Sequence, residues 1–289
     1  MRNFFSRQRK QLHLAWEYST QGILWRLMPS SSGYFVGEDR DPVKKSVSFF
    51  CIEHRQGDVL WNRREVSEQW WVSLNSIHGS TVFLHEYATP DMPDQKKIFA
   101  LDIETGDLRW SNDELRFLFA HDTSVYASKD GFDQRQFYEM DIASGKIVNE
   151  VDAATLGSFR ERMASETVQL DFPHMTDISS IQSEILTHAI RKIALISDRI
   201  EFMEHIDMPD VDVVSLYESA DANPASQSFR QHFIIAGKEN ADVQYQDILA
   251  EDVKTPVPDT FFSWNDMIYY IKEKKTLCAI NLTMTEHRK

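Results

Sequence analysis

The sequence has little of what marks several protein classes. Its 289 residues include only two cysteines, Cys51 and Cys278. Two cysteines cannot build a disulfide framework, so a small secreted fold is not indicated. No apolar run approaches the roughly 20 residues of a membrane-spanning helix, and the N-terminus lacks the apolar core and cleavage site of a secretory signal. The sequence therefore predicts a cytoplasmic protein without a transmembrane segment.

Positive charge is also scarce. The chain has 31 Lys and Arg residues against 45 Asp and Glu residues, which gives a formal net charge of -14 at pH 7. Such a surface repels a phosphate backbone, because nucleic-acid binding depends on clustered Lys and Arg that release counterions. We therefore expect no nucleic-acid partner. The one basic run lies within residues 1–10, which we interpret as a flexible N-terminal tail.

The short motifs that carry common chemistry are absent from the sequence. There is no G-x-S-x-G nucleophile elbow, no phosphate-binding loop and no dinucleotide-binding fingerprint. The ten histidines share no paired spacing of the kind that binds zinc, and the acidic clusters lack the glycine-bearing loop of an EF-hand. We therefore predict no cofactor and no metal site, and we assign no catalytic residue.

An internal repeat is the most informative feature that the sequence does contain. Residues 98–110 have the sequence IFALDIETGDLRW, and the same thirteen-position pattern fits residues 13–25, 49–61 and 137–149 without gaps. The copies start about 40 residues apart, which is the period of propeller blades. The repeat therefore predicts a structure made of similar sheets.

Each copy has the pattern of a β-hairpin, because alternating residues meet a polar tetrad and then resume with apolar residues. Gly57, Gly106 and Gly145 fall where the turn needs a positive φ, which glycine adopts at little cost. An acidic residue precedes the turn, where a carboxylate can accept backbone N–H groups. These acidic residues are Glu17, Glu53, Asp102 and Asp141.

A tryptophan ends three of the four copies at the same register. Trp25, Trp61 and Trp110 hold this position, and Asn149 replaces the tryptophan in the copy at 137–149. Recurrence at one register favours packing between neighbouring units over a role in binding a ligand. We therefore expect each of the three indoles to dock in a similar buried crevice.

Further short strands lie between the hairpins, at 82–84, 125–127 and 267–271. Several strands in each unit of about 40 residues are typical of a four-stranded blade. We therefore predict an all-β fold, a β-propeller of about six four-stranded antiparallel blades, with five or seven left open. One or two short helices are expected between residues 150 and 195, where the repeat decays and apolar residues take helical spacing.

The string from Ala100 to Trp110 resembles the repeat of the quinoprotein-like β-propellers, in which the Ala, Gly and Trp dock successive blades together. The chain is also similar overall to uncharacterised bacterial propeller-like proteins that are grouped only as a domain of unknown function. Quinone-dependent members use a catalytic aspartate, a calcium site and commonly two adjacent cysteines. Here Cys51 and Cys278 are far apart and no segment matches the cofactor residues, so the resemblance implies the fold and not the chemistry.

The repeat also predicts the domain organisation. Residues 1–10 form the flexible tail and residues 11–285 form a single propeller domain, with a degenerate, helix-bearing segment at 150–195. The last unit lacks an outer strand, and the chain begins with a hairpin that has no inner strands before it. We therefore expect the N-terminal strands at 14–27 to complete the last blade, which removes unpaired sheet edges.

Two pairs of residues are candidates for an interaction site. Trp70 and Trp71 would face opposite sides of a strand, so that one is buried and the other is a surface anchor; alternatively, both pack between blades. His85 and Glu86 at a strand end could hold a metal or move a proton, or could be a partly exposed polar pair. The fold and the missing motifs favour a non-enzymatic protein- or peptide-binding scaffold. The alternative is an enzyme, a hydrolase or lyase, with its active site at the mouth of the central channel.

Overall fold

The computed structural model describes residues 11–89, 92–132, 134–157, 168–176, 190, 200–219, 228–239 and 242–283. The described chain forms two compact units. One unit is Thr20–Val168, and the other combines the N-terminal residues up to Ser19 with the chain from Gln169 onward.

Almost all regular structure in these residues is β-strand. Because most strands alternate buried and exposed residues or carry long buried apolar runs, they pack as sheets with apolar faces. In chain order the strands are β1 (Leu14–Ser19), β2 (Ile23–Pro29), β3 (Tyr34–Asp41), β4 (Ser46–Glu53), β5 (Val59–Arg64), β6 (Val72–His78), β7 (Thr81–Thr89), β8 (Met92–Asp102), β9 (Leu108–Asn112), β10 (Arg116–His121), β11 (Ser124–Asp130), β12 (Arg135–Asp141), β13 (Ile147–Val151), β14 (His174–Met175), β15 (Ile200–Asp207), β16 (Val211–Ser219), β17 (Phe229–Gly237), β18 (Val243–Val253), β19 (Phe261–Trp264), β20 (Met267–Lys272) and β21 (Thr276–Asn281).

The strands form five antiparallel sheets in the described part of the chain. The unit Thr20–Val168 holds three four-stranded sheets, β2–β5, β6–β9 and β10–β13, each with its strands in chain order. The other unit holds a sheet of β15–β18 with the short β14 beside β15, and a sheet in the order β1-β21-β20-β19. The predicted fold class, all-β with four-stranded antiparallel propeller blades, is confirmed, and five is one of the blade numbers left open.

Apolar side chains between neighbouring sheets form the core of the unit Thr20–Val168. One buried cluster contains residues of β3, β4, β6, β7 and β8, and a second contains residues of β7, β8, β10, β11 and β12. Burying each large side chain contributes about 1.5–3 kcal/mol. The β6–β9 sheet is therefore packed on both faces, which explains the continuous buried apolar stretches Val82–Leu84 in β7 and Ile98–Leu101 in β8.

The tryptophans of the repeat connect successive sheets. The Trp61 indole on β5 donates its N–H to the Ile103 carbonyl at 2.7 Å, and the Trp110 indole on β9 donates to the Ile142 carbonyl at 2.9 Å. Each ring lies against the glycine in the last turn of the next sheet, Gly106 for Trp61 and Gly145 for Trp110. Both indoles are buried, so the predicted docking is confirmed for these two copies.

The turns of the repeat also form as predicted. Gly57, Gly106 and Gly145 have φ values of 78, 71 and 67°. The Asp102 carboxylate accepts the N–H groups of Glu104 at 2.8 Å and Thr105 at 2.9 Å. Glu53 and Asp141 hold the turns after β4 and β12 in the same way. The hairpins predicted at 49–61, 98–110 and 137–149 are therefore β4–β5, β8–β9 and β12–β13.

The copy at 13–25 does not form a hairpin. β1 pairs with β21, whereas β2 pairs with β3 in a different sheet, so Glu17 holds no turn and Trp25 is exposed on β2. Trp16 takes the docking tryptophan's position instead. It is buried and lies opposite Ala279 on β21, as Trp110 lies opposite Ala100 on β8. The alignment by sequence placed the tryptophan nine positions too late, because the strand that completes this sheet comes from elsewhere in the chain.

Helical structure is sparse among the described residues. A single turn at 153–157 follows β13, and the Asp152 carboxylate caps it by accepting the Thr155 N–H at 2.7 Å. Most of the second helix expected before 195 lies outside the described residues. No helix in the described ranges is long and apolar enough to cross a membrane.

The docking contact predicts a specific cost for adding one methyl group. A Cβ on Gly106 would lie 2.7 Å from Cδ2 of Trp61, whereas a Cβ on Gly79 would meet nothing within 4 Å. Both glycines have positive φ, so Gly106→Ala and Gly79→Ala share the backbone strain and differ in the clash. We expect Gly106→Ala to lower the free energy of unfolding by about 1–3 kcal/mol more than Gly79→Ala in urea titrations. Equal losses would show that the indole does not need this close approach.

Candidate functional site

The two adjacent tryptophans lie in the loop before β6, not within a strand. Glu68 holds this loop, because its Oε1 accepts the N–H groups of Trp70 and Trp71 at 2.9 Å each. The indole centroids are 6.4 Å apart at an angle of 74°, so the rings touch edge to face. Trp71 lies directly before β6 and continues its pairing with β7, because the Tyr87 N–H donates to the Trp71 carbonyl at 2.8 Å. Trp70 is half-buried and Trp71 is exposed, so the alternative in which both pack between blades is wrong.

Arg40 connects this loop to β2. Its guanidinium carbon lies 5.6 Å from the ring centroid of Trp25 and 5.3 Å from that of Trp70. Trp25 is the extra residue of a β-bulge between Leu24 and Arg26, which is why its side chain leaves the sheet pattern. Trp25, Arg40, Trp70 and Trp71 form a continuous array, called here the Trp–Arg array, in which the Arg40 cation lies over the Trp25 and Trp70 rings and Trp71 meets Trp70 edge to face.

A buried carboxylate fixes Arg40. The Arg40 Nε donates to Glu38 Oε1, and its two terminal nitrogens donate to the carbonyls of Trp70 at 3.1 Å and Val72 at 2.5 Å. The other oxygen of Glu38 accepts the Ser73 hydroxyl at 2.8 Å and the Leu74 N–H at 2.9 Å. A buried ion pair is tolerated only when hydrogen bonds satisfy both groups, which is the case here. The centre of the array is therefore held by the Glu38–Arg40 ion pair, whose two charges balance each other.

His85 on β7 lies opposite Ser73 on β6, whose hydroxyl donates to Glu38 of the ion pair. The imidazole is only 2% exposed, and neither ring nitrogen has a hydrogen-bond partner within the described ranges. Burial, followed by the positive charges of Arg26 and Arg40, lowers the pKa of His85 to about 4. The ring is therefore neutral at physiological pH. The interpretation of His85 as part of a partly exposed polar pair is wrong.

Glu86 has different partners from those of His85. Its carboxylate pairs with Lys96 at 3.6 Å and with Lys97 at 3.5 Å on β8. Lys97 also pairs with Asp113 at 3.0 Å. Within the described residues there is no group of three or more His, Cys, Asp and Glu side chains that could hold a metal ion. The structure thus brings Trp70, Trp71 and Arg40 together, and it assigns Glu86 to a lysine cluster.

The exposed parts of the Trp–Arg array are its two ends. Trp25 is 58% exposed and Trp71 is 39% exposed. Flat aromatic surface held in one orientation is typical of residues that dominate protein interfaces, where Trp and Arg are enriched. The sequence missed Trp25, Glu38 and Arg40 in this role. Their signal was the spacing of two charges, Glu38 and Arg40, on one face of a strand whose other residues are mostly buried.

The second unit has a surface cleft of about 550 Å³. The Asp247 carboxylate accepts Lys272 Nζ at 2.7 and 3.0 Å and the Tyr270 hydroxyl at 2.8 Å, and the Tyr245 and Tyr270 hydroxyls lie 2.7 Å apart. None of these residues was predicted as part of a site. The side chains that line the cleft are His232, Gln246, Asp247, Ile248, Glu251, Lys272 and Glu273.

Lys272 lines the cleft, and Tyr270 and Tyr245 are connected to it by hydrogen bonds to Asp247 and to each other; the pKa values of all three groups move further above pH 7. Burial raises the pKa of Tyr270 and that of Tyr245. The hydrogen bond to Asp247 raises the pKa of Lys272. A general acid or base works best when its pKa is near the working pH. These three groups therefore stay protonated, and they hold the cleft together as a hydrogen-bonded network.

Comparison with known proteins gives one family match. A family model described as a domain of unknown function (DUF4905) matches residues 28–110. The resemblance to a domain of unknown function is confirmed by this match, and the contact of Trp61 with Gly106, both inside the matched segment, has the docking role expected of the propeller repeat. No curated protein matches the chain.

Similar solved structures include enzymes and a protein of unknown function. A europium-containing methanol dehydrogenase is 10% identical with a TM-score of 0.32, and the alignment covers 91% of this chain and 52% of that one. The β-propeller domain of the Trilobed protease from Pyrococcus furiosus is 9% identical with a TM-score of 0.30, and the alignment covers 88% of this chain and 64% of that one. The uncharacterized protein lmo1340 from Listeria monocytogenes EGD-e is 9% identical with a TM-score of 0.33, and the alignment covers 93% of this chain and 97% of that one. The chain thus spans about half of the dehydrogenase, and TM-scores this low carry no functional conclusion.

The buried imidazole predicts a pH-dependent stability. Because the pKa of His85 is lowered from 6.5 to about 4, protons bind the unfolded chain more readily than the folded one. The resulting stability is present above pH 6.5 and is lost as the pH falls toward 4. Between pH 7.5 and 5.5 this loss is about 1.4 kcal/mol.

We therefore expect the free energy of unfolding of the wild type to fall by that amount relative to His85→Gln over this interval, as measured by urea unfolding at each pH. His78→Gln, which removes a histidine at the surface end of β6, is the control and should show the wild-type pH dependence. A His85→Gln curve parallel to that of the wild type would show that His85 is hydrated or paired in solution.

Proposed function

We propose that this protein is a non-enzymatic binding or scaffold protein and that the Trp–Arg array is its site for a protein or peptide partner. One observation carries the proposal. Two indoles are exposed at the ends of an array whose centre is fixed by a buried ion pair, both members of which make further hydrogen bonds. Trp70 and Trp71 are the sequence-predicted members of this site. Trp25 and Arg40 are added to it by their contacts.

Rigidity is what makes such a surface effective. When a partner binds to flexible side chains, the ordering of each side chain costs about 0.5–1.5 kcal/mol of binding free energy. Here the Arg40 guanidinium already makes three hydrogen bonds and separates two rings. Little further ordering of the array is needed when a partner covers Trp25 and Trp71.

The free-energy cost of burying the Glu38–Arg40 ion pair also supports a role beyond folding. Replacing a buried ion pair by well-packed apolar residues is often neutral or stabilising by about 1–4 kcal/mol. A chain selected for stability alone has no need of Glu38 and Arg40 behind a surface loop. The ion pair is understood if its purpose is to hold the loop of Trp70 and Trp71 in one conformation.

An enzyme is the second candidate, and the cleft of the other unit is the observation in its favour. A volume of about 550 Å³ lies in the range of small-molecule sites. Against it, Lys272 and the two tyrosines have raised pKa values that suit a structural network. A hydrolase or lyase acting there would have to take its base from His232, which pairs with Glu218 at 3.0 Å, or from a lining carboxylate. The binding function is preferred because the Trp–Arg array presents two exposed indoles on either side of a hydrogen-bonded ion pair.

We also propose a cytoplasmic location. Cys51 and Cys278 are both free and buried, and burial raises the pKa of Cys51 to about 12 and that of Cys278 to about 11. Thiols in this state are small apolar core residues that a reducing compartment leaves unchanged.

A peptide-display experiment tests the binding function. A random peptide library is selected against the wild-type chain, and the enriched peptides are then measured by fluorescence anisotropy against the double variant Trp25→Ala/Trp71→Ala. We expect at least a tenfold loss of affinity, because truncating two interface tryptophans typically removes 2 kcal/mol or more.

Phe132→Ala is the matched control, because Phe132 is a fully exposed aromatic residue of the same unit, in the loop after β11. It should bind the enriched peptides as the wild type does. Failure to enrich any peptide, or equal binding by the double variant, contradicts the proposed function.

A further inference from the structure

The Trp71 end of the array carries a carboxylate with spare acceptor capacity. Glu68 Oε1 accepts the N–H groups of Trp71 and Trp70, and these hydrogen bonds lower the pKa of Glu68. The carboxylate is therefore anionic at neutral pH. The described residues donate to this carboxylate through the backbone N–H groups of Trp71, Trp70 and Gln69, and no described side chain forms an ion pair with it. Lys96 acts on it at longer range and pairs with Glu86 at 3.6 Å, and Lys97, which reaches Ser67 at 3.3 Å, is paired with Glu86 and Asp113.

The same array shows what an indole and a carboxylate recognise together. Arg40 stacks on Trp70 at 5.3 Å and pairs with Glu38. Stacking on an aromatic face together with a carboxylate partner is the arrangement for which the planar guanidinium is suited. At the other end of the array, an exposed indole and the carboxylate that accepts its backbone N–H, Trp71 and Glu68, offer the same two groups.

The two ends of the array differ in charge. Trp25 is followed by Arg26, an exposed residue whose guanidinium donates to the Leu74 carbonyl at 2.7 Å. This positive charge repels a second cation at the Trp25 end. Glu68 attracts one at the Trp71 end, and the chain as a whole has a net charge of -14. Charge complementarity therefore points to a cationic group at Trp71.

We propose that Trp71 and Glu68 form a subsite for an arginine side chain of the partner protein. The guanidinium stacks on the Trp71 indole and donates to Glu68 Oε2. This inference rests on the proposed binding function and names the partner's chemistry. Arginine is preferred to lysine because its flat, weakly hydrated fork can stack and donate at the same time, whereas an ammonium is a compact, strongly hydrated point charge.

The probe for this subsite is a fluorescein-labelled nona-arginine peptide, measured by anisotropy in about 0.15 M salt so that general attraction is screened. Glu68→Gln keeps an oxygen for the two backbone N–H groups and removes the charge. Glu150→Gln removes one exposed carboxylate from β13 and is its charge-matched control. Trp71→Ala is compared with Phe132→Ala.

We expect Glu68→Gln and Trp71→Ala each to weaken binding about 3- to 30-fold, the range of a cation on an aromatic ring. Glu150→Gln and Phe132→Ala should change it less than twofold. A nona-lysine peptide should bind more weakly than nona-arginine, and a nona-citrulline peptide, which keeps the shape without the charge, should not bind. Thermal unfolding midpoints of the four variants close to that of the wild type confirm that they fold.

Three results would overturn the inference: no binding of nona-arginine, equal losses for Glu68→Gln and Glu150→Gln, or equal affinity for the lysine peptide. The proposed function fails separately. If peptides enriched from the random library still depend on Trp25 and Trp71 while Glu68→Gln binds them like the wild type, the surface binds peptides and the arginine subsite is wrong.

Discussion

The contact between an indole and a glycine of the next sheet is the constraint on which the unit Thr20–Val168 depends. A four-stranded sheet has two apolar faces and cannot bury them alone, so it must stack on neighbours. The hydrogen bonds from Trp61 to Ile103 and from Trp110 to Ile142 set the offset of that stacking. Gly106 and Gly145 permit it, because a side chain in either place would collide with the ring. The apolar residues between the sheets then pack in a single arrangement.

This dependence explains why the fold could be predicted from the sequence and where the prediction failed. Docking needs a tryptophan, a glycine and an acid at fixed spacing, and these residues repeat visibly. The error at Trp25 arose because one sheet takes its fourth strand from the other end of the sequence. In that case spacing along the chain no longer measures spacing across the sheet, and Trp16 was overlooked.

The candidate site was only partly predictable for a similar reason. Trp70 and Trp71 are conspicuous as a pair, and their exposure could be raised as a question. No local pattern in the sequence links Trp70 and Trp71 to Arg40, which is 30 positions before Trp70, or to Trp25 on β2. His85 was noticed for its neighbour Glu86, but its environment is set by Arg26 and Arg40. Burial and partner choice at such sites are properties of sheet stacking, which no short pattern encodes.

The pairing of β1 with β21 has a consequence for biosynthesis. Residues 14–19 are synthesised well before their partner strand at 276–281. Until β21 has been made, β1 lacks the strand it pairs with and its backbone polar groups are open to other strands, while the sheets of Thr20–Val168 can already assemble. The sheet that contains β1 can therefore form only after the three sheets of Thr20–Val168 have been synthesised. The open β1 edge is the segment that a chaperone has reason to shield in the interval.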